Sequence, residues 1–206
     1  MYLRILTLLL CLSISLSAAE TPEAFMDRAA KSMAENETVT AQFTQVKKLK
    51  AFRRPLTITG ELCIDRTGKF AWHVKTPVQY SCIIRDGKLM QWDAESGKTQ
   101  TLSLDSNAAL RYLASSLRNY FSGRFQEMKR DFTPTSYRDG ILTMQPKEGM
   151  PAAMFIAEIR FSFTGDLRGM ERIEILEKTG DNTVITFSDM KRNVPIPEAK
   201  WQPGTR

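Results

Sequence analysis

Apolar and polar residues alternate from Leu56 to Asp93, in short runs broken by turn chemistry at Asp65-Arg66-Thr67-Gly68, Thr76-Pro77 and Asp86-Gly87. A period of two is the signature of half-buried antiparallel strands, and the breaks are those of hairpin turns. The stretch therefore predicts a β-meander. Successive side chains on a strand point to opposite sides. Leu56, Ile58, Leu62 and Ile64 thus share one face of the first strand, and Thr57, Thr59 and Glu61 the other; in the second, Phe70, Trp72 and Val74 oppose Lys69, His73 and Lys75. One greasy face and one wet face follow, and the greasy one needs a cover or a ligand.

The same reading extends both ways along the chain. Thr21-Pro22-Glu23 is a helix start, with a capping hydroxyl, proline at the first helical position and an acid in the first turn. Phe25, Ala29 and Met33 continue it as an apolar stripe ending near Asn36. Val39 to Lys48 alternates as a strand. Downstream, Thr99 to Leu104 is a further strand, and Ser106 or Asn107 caps a second helix in which Leu110, Leu113, Leu117 and Phe121 recur at spacings of three and four. Gly123 stops it. Strands are then predicted over 125–132, 136–144 around the turn Arg138-Asp139-Gly140, 154–163, 170–177 and 183–190, with an extended proline-rich tail beyond. Many strands in succession and only two helices predict an α+β fold, a large antiparallel sheet curled into a barrel or half-barrel with helices on one face. No shift in composition divides residues 20–206, which are expected to form a single domain.

Residues 1–19 belong elsewhere. Arg4, an apolar run from Ile5 to Leu16 and the small residues Ser17-Ala18-Ala19 make a secretory signal. The run is shorter than the about 20 apolar residues of a membrane span. Cys11, inside that run and behind the bulky Leu10, goes with the signal rather than with a lipidated N-terminus. Its removal takes one base and no acid from 29 basic and 23 acidic residues, leaving a net charge of +5. That mild excess comes without the Lys/Arg clustering of a nucleic-acid binder. Cys63 and Cys82 remain. On strands one and three of a meander they stand roughly 10 Å apart, beyond the about 7 Å that a disulfide spans, so two free thiols are expected.

Little in the chain suits catalysis. The one histidine, His73, is expected on the polar surface of its strand, with no nucleophile and orienting acid beside it. Neither cysteine has metal-ligand neighbours, and Glu171, Glu174 and Glu177 decorate an ordinary mixed strand. The residues point to binding, without a cofactor or a metal. Exposing a wide apolar face costs about 25 cal/mol per Å², and two short helices cover only part of it. A hydrophobic cavity is therefore predicted, lined by Leu56, Ile58, Leu62, Ile64, Phe70, Trp72, Val74, Met90, Leu110, Leu113 and Leu117. Met26, Met33, Met90, Met144, Met150, Met154, Met170 and Met190 suit an adaptable lining. The loop Gly149 to Phe155 is apolar where loops are ordinarily polar. Its Met150, Met154 and Phe155 are expected to close over the cavity, to touch a membrane, or to form a buried hairpin connection.

An ordered set of residues carries a resemblance: Phe43-Thr44-Gln45, Gly60-x-Leu62, Arg66, Phe70-x-Trp72-His73, Pro77, Asp86-Gly87-Lys88 and Trp92, with Gln145-Pro146-Lys147 and Trp201-x-Pro203 as fainter echoes. Over essentially all of residues 20–206 the chain resembles the periplasmic lipoprotein carrier family, the LolA-like proteins. The resemblance implies a single curved antiparallel sheet forming an incomplete (half) β-barrel, with helices covering the concave face. It implies a monomer in the periplasm that shields the acyl chains of a lipoprotein, received from an inner-membrane exporter and passed to an outer-membrane receptor. It also implies a gate, because in the family an arginine just before the meander's aromatic strand hydrogen-bonds to the lid, and Arg66 stands in its place. Two features depart from the pattern: Thr67 replaces the proline after that arginine, and the chain closes soon after Trp201. The alternatives are a carrier of another acylated molecule such as a glycolipid, a sensor of mislocalised lipid, and a lipid-modifying enzyme.

Overall fold

The first and last strands meet in the middle of the sheet. β1 (Thr38–Lys48) lies between β2 (Leu56–Asp65) and β11 (Asn182–Arg192), antiparallel to both. The structure is a computed structural model that describes residues 20–106 and 108–204, apart from the side chains of Ala109, Leu113, Leu117 and Tyr120. The signal predicted over residues 1–19 lies outside the described residues. From β1 one arm is the predicted meander: β2, β3 (Phe70–Thr76), β4 (Tyr80–Arg85), β5 (Lys88–Asp93) and β6 (Thr99–Ser103). The other arm runs from β11 through β10 (Met170–Glu177), β9 (Ile156–Phe163) and β8 (Ile141–Pro146) to β7 (Phe132–Arg138). All described pairings are antiparallel, and β6 and β7 are left as edges, so the sheet is an open half-barrel. Pro134 sits on the edge strand β7, where a missing amide breaks no ladder on the outer side.

This connectivity makes a lid. The chain leaves the sheet at one edge, β6, and re-enters at the other, β7, so residues 104–131 must travel from rim to rim. They form α2 (Ala108–Ser122) and α3 (Phe125–Met128). Gly123, with φ +71°, makes the left-handed break between them. α3 corrects the strand predicted from residue 125. Phe125 and Met128 are both buried, and three positions apart they share a face only on a helical turn. α1 (Pro22–Met33) starts as predicted, with Thr21 Oγ1 accepting the Ala24 N–H at 3.2 Å, and buries Phe25, Met26, Ala29 and Met33.

The convex face is wet only in part: Thr57 and Lys75 are exposed as expected, but a patch beside them is dry. Cys63, Ala71 and Ile83 are fully buried there under Trp201, itself 3% exposed, with Met90 and Ile196 packed alongside. The small side chains of Cys63 and Ala71 leave a hollow that the indole fills. The tail from Asn193 is therefore a strap, ending in the 3-10 turn Glu198–Trp201. His73, expected at the surface, is buried beneath it. A carbonyl only accepts, so His73 Nε2 donates to Lys200 O at 2.8 Å and Nδ1 accepts from the Ser81 hydroxyl at 3.0 Å. Burial lowers the histidine's pKa. Lys200 Nζ closes on Glu61 Oε2 at 2.6 Å, and Arg85 pairs with Glu198. Both cysteines are free as expected, and the reason is stronger than distance. Cys63 pairs across with Ala71, on the convex face, whereas Cys82 pairs with Trp72, on the concave one. Burial pushes the thiols up to about 12 and about 11 respectively.

Candidate functional site

The concave face is paved with rings. Phe43 of β1 lies flat on Trp72 of β3, centroids 3.7 Å apart and planes at 19°. Gly60 makes this possible: a Cβ there would stand 2.4 Å from Phe43 Cζ and 2.1 Å from the His73 carbonyl. Phe121, at the end of α2, drops into the same group, 5.8 Å from Phe70, 5.8 Å from Trp72 and 5.5 Å from Phe187. A second group lies under α1 and α3. Phe25 stacks on Tyr137 at 3.8 Å and meets Phe163 edge-on at 5.1 Å, while Phe125 meets Phe161 and Phe163 edge-on.

Open space remains at one rim. A cavity of about 550 Å³ lies between the end of α1, the β2–β3 turn and the α2–α3 junction, bordered by Met33, Val39, Ile64, Phe121 and, towards its mouth, Arg66, Arg118, Ser122 and Arg124. A void of about 20 Å³ shares Met33, Val39 and Phe121 with it and adds Leu62, Met170, Phe187 and Met190. The predicted lining is corrected accordingly. Of those residues Ile64 borders the rim cavity and Leu62 the small void. Phe70 is buried in the core, and Ile58, Trp72, Val74 and Leu110 are partly buried and packed against it; none of them borders the rim cavity or the small void. Leu56, on the same side, is exposed at the strand's start. Met90 pairs with Ile83 and therefore lies on the convex face, not in the cavity. The side chains of Leu113 and Leu117 lie outside the described residues. Phe121, Phe187 and Met33, absent from the predicted lining, are the residues that close the space. Phe187 was readable from its alternation with Ile185, and Phe121 from its place on the apolar stripe of the second helix.

Arg66 stands at the mouth of the cavity, exposed. Its Nη1 meets Glu37 Oε1 at 3.0 Å and its backbone N–H donates to the Glu37 carbonyl at 2.8 Å, tying the β2–β3 turn to the connection after α1. Among the described residues it makes no hydrogen bond to α2. The arginine that does reach from α2 to this turn is Arg118, with Nη1 3.2 Å from where a Cβ of Gly68 would stand. The apolar loop is not a buried connection: Pro151–Met154 is a 3-10 turn in which Met150 is half-buried and Met154 and Phe155 are 72% and 65% exposed. It borders a separate hollow with Gln145, Pro146 and Lys178 and does not close over the rim cavity. Among the described residues no cluster of three or more His, Cys, Asp or Glu could hold a metal, and no helix is long and apolar enough to cross a membrane.

An open half-barrel, with α2 and α3 on the connection between its two edges and its motif residues Phe43, Gly60 and Trp72 in one stack, agrees with what sequence comparison finds. The family model described as outer membrane lipoprotein carrier protein LolA matches residues 34–203. The chain belongs to the LolA family. It is 24% identical over 203 residues to the outer-membrane lipoprotein carrier protein of Pseudomonas entomophila (strain L48), covering 97% of this chain and 94% of that protein. It is 26% identical over 199 residues to that of Bordetella avium (strain 197N), covering 94% and 88%. Two solved structures share the fold: an uncharacterized conserved protein from Thermus thermophilus, with a TM-score of 0.52, 8% identity and coverage of 87% and 91%, and MucB, with a TM-score of 0.51, 12% identity and coverage of 89% and 62%. As a LolA-family member the chain is a non-enzymatic periplasmic carrier of lipoprotein or lipid.

Proposed function

We propose that the protein shields the acyl chains of a lipoprotein against the concave face of its sheet and moves them from the inner to the outer membrane. It receives the cargo from an inner-membrane exporter and yields it to an outer-membrane receptor. The observation that carries this reading is the roof: the segment with α2 and α3 joins the two rims of the sheet and seats Phe121 among Phe70, Trp72 and Phe187, beside a cavity that opens to solvent. Burying a methylene is worth about 0.8 kcal/mol. A chain of about fifteen methylenes would therefore gain on the order of 12 kcal/mol, too much for ready release. Here the chain has to displace the protein's own rings. Losing their contacts offsets part of the gain, and their return favours release.

Arg66 is the proposed gate, acting through its tie to Glu37 beside the cavity mouth, and Met150, Met154 and Phe155 are the proposed contact with a membrane. An exposed ion pair contributes at most about 1 kcal/mol, so Arg66→Leu is expected to fold normally and to slow handover of cargo to acceptor membranes; unchanged transfer removes Arg66 from the mechanism. The reading as a whole is tested by incubating the mature protein with a triacylated lipoprotein released from inner-membrane vesicles. It requires a soluble one-to-one complex that then delivers to outer membranes. Lipoprotein that stays with the vesicles overturns it.

A further inference from the structure

We propose that Arg118 and Arg124, with the Ser122 hydroxyl, form an anion site at the mouth of the rim cavity, for the phosphate or carboxylate head of an amphiphile whose chain runs inward past Phe121. This rests on the carrier reading and adds to it the charge of the head that the carrier takes. Three observations converge. Arg118, on the inner half of α2, is half-buried at the cavity, and among the described residues neither it nor Arg124 has an ion-pair partner. The carboxylates that share the lining are engaged elsewhere: Glu37 with Arg66, Asp65 with the Thr67 hydroxyl and the Lys69 amide, Glu127 with Arg130. Burial lowers the pKa of Arg118, and the neighbouring charge that bears on it is a second cation, Arg124. A half-desolvated guanidinium beside a like charge is an arrangement an incoming anion would relieve.

The third observation is the hydroxyl. Ser122 Oγ lies between the two arginines in sequence, borders the cavity and is buried without a hydrogen-bond partner. Guanidinium groups present planar, forked donors that suit phosphate and carboxylate oxygens, and a hydroxyl adds one more donor. Behind this polar mouth the wall turns apolar through Met33, Val39, Ile64 and Phe121. A charged head with an attached chain matches both parts of the cavity at once.

The test uses the mature protein and three probes below their aggregation limits: a single-chain lysophosphatidic acid, the monoacylglycerol with the same chain, and inorganic phosphate. Affinities are read by calorimetry and native mass spectrometry. The phosphorylated amphiphile is expected to bind at least tenfold tighter than the neutral one. That advantage should fall to threefold or less in Arg118→Gln and by a smaller factor in Arg124→Gln, whose exposed position leaves folding untouched, with neutral binding unchanged in both. Equal affinity for the two amphiphiles overturns the anion site and leaves the carrier reading intact. Binding of neither overturns both. Inorganic phosphate binding as tightly as the phosphorylated amphiphile overturns the proposal in favour of a plain ion site.

Discussion

Beneath α1 the concave face of β7–β10 is closed by rings in direct contact: Phe25 on Tyr137, with Phe125, Phe161 and Phe163 around them, all but Tyr137 buried. Beneath α2 the rings of β3 and β11 are met, among the described residues, by Phe121, with open space beside it. α1 packs on β7 and α3, whereas α2 approaches α3 more extensively than any strand. The first arrangement is a permanent core. The second is a cover that takes no part in the sheet's ladder, which is complete without it.

Substitutions separate the two. Phe25→Ala removes a ring 1% exposed and its stack on Tyr137, and is expected to cost about 3–5 kcal/mol in urea unfolding. Gly60→Ala forces a methyl into the Phe43 ring and the His73 carbonyl, an overpacking expected to cost about 1–3 kcal/mol. Phe121→Ala removes a ring that already borders both voids, so it is expected to cost less than half of what Phe25→Ala costs and to raise uptake of a hydrophobic dye. Equal costs for the two phenylalanines would erase the distinction between core and cover.

The smallest effect comes from the convex side, behind the α2 half. His73 is neutral under the strap, with its pKa lowered by burial. As pH falls below about 6.5 the unfolded chain takes up a proton before the folded one. The histidine's contribution is therefore complete above that pH and declines on acidification. The urea midpoint should drop between pH 7.5 and pH 5.5, and His73→Gln should flatten that part of the drop; an unchanged slope would mean that the strap is not titrated there.

Much of this was legible in the residues. Turn chemistry marked the meander's hairpins, and period two set the concave sides of β2 and β3, because those signals are local. The strap was not legible: His73 and Lys200 meet across 127 positions of chain, and no window of sequence records that Trp201 fills the hollow over Cys63 and Ala71. α3 was lost because four residues are too few to show a helical period. The site was half legible. Parity tells which face a side chain is on, but not whether the ring opposite already occupies the space before it. That is why Phe70 and Trp72 line a filled interior, and why the open volume lies at the rim near Arg66 and Arg118.

The central claim is that acyl chains are taken up on the concave side beneath α2. It is tested most directly by placing a photo-crosslinking amino acid at the position of Val74, on the concave face of β3, or of Met90, on the convex face of β5, and irradiating the protein loaded with acylated cargo. The account predicts cargo adducts from position 74 and none from position 90. Adducts from both positions alike, or from position 90 alone, would contradict it.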